Sequence, residues 1–167
     1  MLLYLVRHAI AFGRDPQVWP DDRERPLTPR GMKRFRRAAR GLRRLVPAVD
    51  LALSSPYVRA WQTAELLQMA AAWPAPVACE ALEAGHPPAD VLSALQPHAT
   101  AGAVALVGHE PGMHELASFL LIGDASRAYV EFKKGGVACF RLENGLDPGA
   151  ADLLWVAPPR LLRAMAG

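Results

Sequence analysis

The chain is poor in cysteine and in aromatic rings. Its two cysteines, Cys79 and Cys139, lie far apart inside apolar, strand-like runs. They read as reduced core residues, which excludes a disulfide-stapled scaffold and points to a cytoplasmic protein. Phe, Trp and Tyr make up 7% of 167 residues, and no aromatic stacking platform of the kind used by single-strand binders accompanies the main basic run. Long apolar runs are missing as well. The opening run, Leu2–Val6, is broken by Arg7, too short for a membrane span or a signal peptide. There is no internal repeat, low-complexity tract or linker, so a single domain over residues 1–167 is expected. Two catalytic signatures fail on inspection. "HEPGMH" has Met113 where a helical zinc motif needs its second histidine, and Pro111 cannot sit inside such a helix. Ser54 and Ser55 lack the Gly-x-Ser-x-Gly elbow of a serine nucleophile.

What is present alternates between two periods. Half the residues are hydrophobic (51%) and 21% are charged, with a formal net charge of +3, an ordinary globular composition. Strand-like runs occur at "LLYLV", "DLALSS", "APVACEAL", "AVALVGH", "GVACFRL" and "ADLLWVA". Between them, "LTPRGMKRFRRAARGLRRL" places Met32, Phe35, Ala39, Leu42 and Leu45 at helical spacing, with Thr28 as N-cap and Pro29 in the first turn. Further helices are expected from "PYVRAWQTAELLQMAA", opening on Pro56, from "PPADVLSALQPH", from "EPGMHELASFLL" and from "PRLLRAM". Strand–helix alternation of this kind predicts an α/β three-layer sandwich, a mostly parallel central sheet with helices on both faces.

That architecture gives the polar residues at strand ends a meaning. Adjacent side chains on a strand point to opposite faces, so Arg7 and His8 can act together only where the first strand has ended. In open α/β sheets, ligands bind beyond the carboxyl ends of the strands. Arg7 and His8 fall at one such end, Arg59 in the first helical turn after the second strand, and His109 at the end of the fourth. Arginine offers a rigid fork of donors suited to phosphate oxygens. A neutral histidine can attack through one ring nitrogen while the other is held by a hydrogen bond. Two arginines, two histidines and helix N-termini together suit the charge of a transferring phosphoryl group. The chemistry suggested is phosphoryl transfer onto a histidine followed by hydrolysis. Arginines supply the positive charge, so neither metal nor cofactor is expected.

The motifs "LVRHA" (Leu5–Ala9), "SSPYVRAWQTAE" (Ser54–Glu65) and "LVGHEPG" (Leu106–Gly112) resemble the histidine phosphatase superfamily, with its phosphoglycerate mutase-like fold. "RPLTPRG" (Arg25–Gly31), the short length and the lack of a large helical insertion are most similar to the small SixA-like phosphohistidine phosphatase branch. The resemblance implies His8 as the nucleophile, Arg7 and Arg59 as holders of the phosphoryl oxygens, and His109 as a further donor to the same group. Larger members of the superfamily carry an acidic proton donor after the third strand, where only Glu80 and Glu83 are placed to serve here. Imidazole leaves with a pKa of roughly 6.5, so a phosphoramidate needs less acid help than an alkyl phosphate ester. The favoured substrate is therefore a phosphohistidine protein of a phosphorelay or phosphocarrier system, with a small phosphoester such as a sugar phosphate or nucleotide as the alternative.

Blander readings stand beside these. Taken alone, Arg7–His8 is an ordinary structural pair and His109 a core histidine; the three motifs in order change that balance. His86 and His98 are expected to be solvated, His114 structural, and Lys133–Gly136 a turn before a strand. The basic stretch Arg30–Arg44 would suit a nucleic-acid-binding module. Its apolar positions recur at core spacing, however, so its arginines are expected to form a solvated outer face, one that can also help dock a partner protein.

Overall fold

A computed structural model describes residues 1–143 and 145–167. Its six strands are β1 (Leu2–Arg7), β2 (Leu51–Ser54), β3 (Val77–Ala78), β4 (Ala103–Gly108), β5 (Val137–Leu142) and β6 (Ala151–Ala157). They form one sheet in the order β3-β2-β4-β1-β5-β6. Strands β1 to β4 are parallel, and β5 runs against both β1 and β6. Five helices pack on it: α1 (Pro29–Leu45), α2 (Val58–Ala71), α3 (Pro88–Leu95), α4 (Gly112–Ile122) and α5 (Pro159–Ala164).

The central strands read as unbroken apolar runs because helices cover both sheet faces. On β1 the period of two divides the side chains between two cores. Tyr4 and Val6 join Phe35, Leu42, Leu67 and Leu162 under α1, α2 and α5. Leu3 and Leu5 join Leu95, Leu116, Leu120 and Phe140 under α3 and α4. The predicted three-layer sandwich is the observed fold.

Helix α1 illustrates how the sequence builds its local structure. The Thr28 hydroxyl accepts from the Gly31 amide at 2.9 Å, capping the first turn, a contact worth about 1 kcal/mol. Phe35, Ala38, Ala39 and Leu42 then turn inward. Leu45, expected on that face, is 40% exposed, and Val46 just beyond the helix is buried in its place. Glycine is required twice along this helix. A Cβ on Gly31 would lie 2.1 Å from the Ile10 carbonyl oxygen, and one on Gly41 would lie 1.8 Å from that of Leu162. The second approach lets α5 lie directly against α1.

Three boundaries differ from the sequence expectation. The run "APVACEAL" pairs only over Val77–Ala78 and then coils into a short 3-10 turn at Glu80–Leu82, because it is an edge segment whose paired residues are exposed. Helix α2 starts at Val58, two residues after Pro56. Helix α4 starts at Gly112, with Pro111 as its cap. No helix among the described residues is long and apolar enough to cross a membrane.

Because backbone oxygens cannot yield as a flexible side chain would, Gly41→Ala is expected to lower the unfolding free energy by about 2 kcal/mol or more, as overpacked core substitutions do. Urea titration followed by circular dichroism reads this directly; an unchanged midpoint would show that α1 and α5 can separate without cost.

Candidate active site

The parallel pairing of β1 with β4 sets the site. Arg7 lies opposite Gly108 in the register, and the His8 amide donates to the Gly108 carbonyl at 3.0 Å. His8 and His109 thus leave the sheet side by side, with ring centroids 5.3 Å apart. Strand β2 ends beside them, and the Ser55 amide donates to the Val107 carbonyl. Arg59, in the first turn of α2, is carried to the same edge. Thr63 ties that helix to β1: its hydroxyl donates to the Arg59 carbonyl at 2.7 Å and accepts from the Ala9 amide at 3.0 Å. The four residues singled out in the sequence therefore come together.

Hydrogen bonding fixes the state of His8. Its Nδ1 lies 2.7 Å from the Ala9 carbonyl oxygen, and a carbonyl can only accept, so Nδ1 carries the proton. In the neutral ring the lone pair is then on Nε2. Burial pulls the His8 pKa down to about 3, and the Arg59, Arg7 and Lys134 charges act in the same direction. His109 is drawn down to about 2 by burial, with His8 and Arg59 contributing. Both imidazoles are neutral at physiological pH.

The cations are held by backbone and by one acid. Arg7 Nη1 donates to the Phe132 carbonyl at 2.5 Å. Arg59 Nη1 donates to the Asp22 carbonyl at 2.6 Å, and its Nη2 pairs with the Asp22 carboxylate at 3.0 Å. Arg25 also binds Asp22 at 2.7 Å. His109 Nε2 lies 2.8 Å from the Ser55 hydroxyl. Among the described residues, four buried side-chain polar atoms have no partner, and three are Arg7 Nε, Arg59 Nε and His109 Nδ1. Buried polar groups are nearly always paired, so such a cluster calls for a reason. All three belong to groups able to donate to an anion.

The two acids differ in placement. Glu80 is exposed. Glu83 has a 9% exposed side chain and pairs with Arg23; with His109 it lines a small pocket between the Glu80–Leu82 turn and α4. Arg23 lies 5.4 Å above the Tyr57 ring, which packs 4.9 Å from His109. Of the remaining histidines, His86 is exposed beside Asp90, and His114 bonds Glu110. Among the described residues no group of three His, Cys, Asp or Glu side chains is placed to hold a metal.

Residues 3–83 match the family model of the histidine phosphatase superfamily, branch 1. An uncharacterized protein of Picosynechococcus sp. is 33% identical over 155 residues, spanning 92% of this chain and 88% of that one. The chain belongs to the histidine phosphatase superfamily. An uncharacterized protein of Mycobacterium tuberculosis is 32% identical, spanning 86% of this chain and 96% of that one. The solved structure of the protein histidine phosphatase SixA with tungstate superposes with a TM-score of 0.83 at 23% identity, covering 97% of this chain and 99% of that one. A Nakamurella multipartitia protein that carries the name phosphohistidine phosphatase SixA superposes at 0.78 with 26% identity, covering 95% of both chains. This member of the superfamily is SixA-like and is a phosphatase.

Several residues that shape the candidate site were given no place in it from the sequence. Asp22 sits in a charged loop, "DDRERP", that gave no periodic signal. Ser55 and Thr63 lie inside a recognised motif, but their partners come from distant strands. Gly135, whose amide donates to the Arg7 and His8 carbonyls at 3.1 and 3.0 Å, was legible only as part of a turn.

Two outcomes follow from these environments. A histidine with a depressed folded pKa is neutral when folded and binds a proton when unfolded below about pH 6.5. Its contribution to stability is thus present above that pH and is lost as pH falls toward the folded value. Imidazole NMR of the folded enzyme should show His8 and His109 neutral from pH 8 to 5, with melting temperature falling below pH 6.5; titration of either ring near 6.5 would contradict the assignment. Asp22→Asn removes a carboxylate that competes for Arg59, so the inhibition constant of tungstate should fall several-fold in a competitive assay; an unchanged or weaker constant would mean that Asp22 positions Arg59 and does not compete.

Proposed function

We propose that this phosphatase removes the phosphoryl group of a phosphohistidine protein by way of a phosphohistidine intermediate on His8. The observation that carries the reading is the tautomer of His8, with Nδ1–H committed to the Ala9 carbonyl and Nε2 left as the nucleophile. Nε2 forms a bond to phosphorus as the bond from phosphorus to the substrate's imidazole nitrogen breaks; the substrate ring, already carrying on its other nitrogen a proton taken from water, keeps the bonding pair and leaves as neutral imidazole. Water then attacks the phosphorus, the bond to Nε2 breaks, and phosphate departs with the water's oxygen. Arg7 and Arg59 hold the equatorial oxygens as bidentate donors, and His109 donates to the same group. Charge held in place before the reaction stabilises the transition state without reorganisation.

The substrate preference rests on the leaving group. Asp22 is already paired with Arg59 and Arg25, Glu83, which lines a small pocket with His109, is engaged by Arg23, and Glu80 faces solvent. A site without a free acid favours a leaving group that needs little protonation, and imidazole is such a group. The likeness to the SixA proteins supports the same choice. A second reading, hydrolysis of a small phosphoester with Glu83 as proton donor, is favoured by the fold shared with a phosphoserine phosphatase from Entamoeba histolytica and an alpha-ribazole phosphatase from Shigella flexneri. Two buried free cysteines fit a cytoplasmic setting.

Specificity constants measured side by side on a phosphohistidine protein, a sugar phosphate and a nucleotide decide between the readings. The first should exceed the others by at least an order of magnitude; a preference for either ester that depends on Glu83 would establish the second reading. Arg59→Ala should lower turnover by a factor on the order of a hundred, and Arg59→Lys should restore little because a point charge cannot replace the fork. Near-normal rates for the lysine variant would remove Arg59 from the reacting group.

A further inference from the structure

A cavity of about 300 Å³ lies beside the sheet edge that carries His8 and His109, and not over the two histidines. Ala9 and Ile10, the two residues after His8, form one wall, and α1, the Lys133–Lys134 turn and the start of α5 form the others. The turn is locked to the site, since the Gly135 amide binds the Arg7 and His8 carbonyls. Its floor is apolar, built by Phe35, Pro158 and Pro159, while Arg34, Lys133, Lys134, Arg160 and Arg163 surround it.

This rim has little acid to balance it. Only Lys133 is paired, with Glu131, and no other rim cation has a salt bridge among the described residues. Helix α1 carries no acidic residue at all. Arg34 Nε is the fourth buried polar atom without a partner. Arg163 is held below its ordinary pKa by burial and by the Arg34, Arg37 and Arg160 charges around it. Like charges gathered without counterions cost stability, and a negative partner relieves that cost. The exposed arginines continue from the groove along the outer face of α1, through Arg37, Arg40 and Arg44. That extent exceeds a small anion and suits a macromolecular surface, while the proline-lined apolar floor suits a side chain rather than a stacked base.

We infer that this groove docks an acidic segment of the protein substrate, seating one apolar side chain on the Phe35–Pro158–Pro159 floor with flanking carboxylates on the arginine rim, so that the phosphohistidine reaches His8 next door. The inference rests on the phosphohistidine-protein reading and adds to it the recognition element. Docking of this kind lowers KM and leaves the chemical step alone, since its contacts are the same in ground and transition states.

Two phosphohistidine peptides test it, one flanked by glutamate and leucine, the other by serine and glutamine, with a chromogenic phosphate ester as reference. The acidic peptide should show at least a tenfold lower KM than the neutral one at equal kcat. Arg34→Glu/Arg160→Glu should abolish that difference, as should high salt, which screens exposed charges, while the ester and the neutral peptide keep their rates. Arg160→Glu alone, at an exposed position in the first turn of α5 where a carboxylate is tolerated, should lose several-fold and guards against a misfolded double variant. Equal turnover of the two peptides by the unaltered enzyme would overturn the docking inference and leave the phosphohistidine reading intact. Failure of both peptides with the ester still hydrolysed would overturn that reading; fluorescence anisotropy of the unphosphorylated acidic peptide would then judge the groove separately, with no arginine-dependent binding counting against it. Tighter arginine-dependent binding of a DNA duplex than of the acidic peptide would reassign the groove to nucleic acid.

Discussion

The parallel register of β1 on β4 is the constraint on which the site depends. Because Arg7 lies opposite Gly108, the residues that follow, His8 and His109, emerge together at the carboxyl edge of the sheet. A slip of one residue would turn every side chain of β1 to the other face, sending Tyr4 and Val6 into the wrong core and separating the two imidazoles. The two apolar cores thus hold the geometry of the candidate site as well as the fold. What stabilises the sheet is the same set of contacts that brings the histidines within 5.3 Å.

Electrostatics at that edge follow from burial. Two imidazoles, 7% and 3% exposed, lie next to two guanidinium groups, and desolvation together with those cations keeps both rings neutral. A neutral imidazole can act as a nucleophile and arginines suit phosphate oxygens, so one arrangement is compatible with both needs. Asp22 moderates it. Its carboxylate is held down by Arg25 and by Arg59, and it gives Arg59 a partner that an incoming oxyanion must replace or share.

The layered fold and the four central residues could be read from the chain because each rests on a short-range signal: strand and helix periods, a capping Thr28–Pro29 pair, and polar residues at the ends of apolar runs. Elements decided by tertiary context could not. The third strand shrinks to two residues because it is an edge with one partner. Leu45 lies outside the core because α1 ends there and Val46 takes the buried position. Asp22, Ser55 and Gly135 join the site through contacts spanning tens of residues, which leave no periodic trace. The basic stretch Arg30–Arg44 was legible as charge, but its link to Arg160 and Arg163 exists only because Gly41 lets α5 settle on α1. Sequence showed the helix as a solvated face; folding makes one end of it the wall of a groove.

The central claim is that His8 Nε2 carries the phosphoryl group during turnover. Rapid quenching of the working enzyme into alkali, where a phosphoramidate survives, followed by peptide mass spectrometry and phosphorus NMR, locates both the residue and the ring nitrogen. The account predicts phosphate on the peptide holding "LVRHA", attached at Nε2 of His8, and neither label nor turnover in His8→Ala. Phosphate on His109, attachment at Nδ1, or substantial activity in His8→Ala would contradict it.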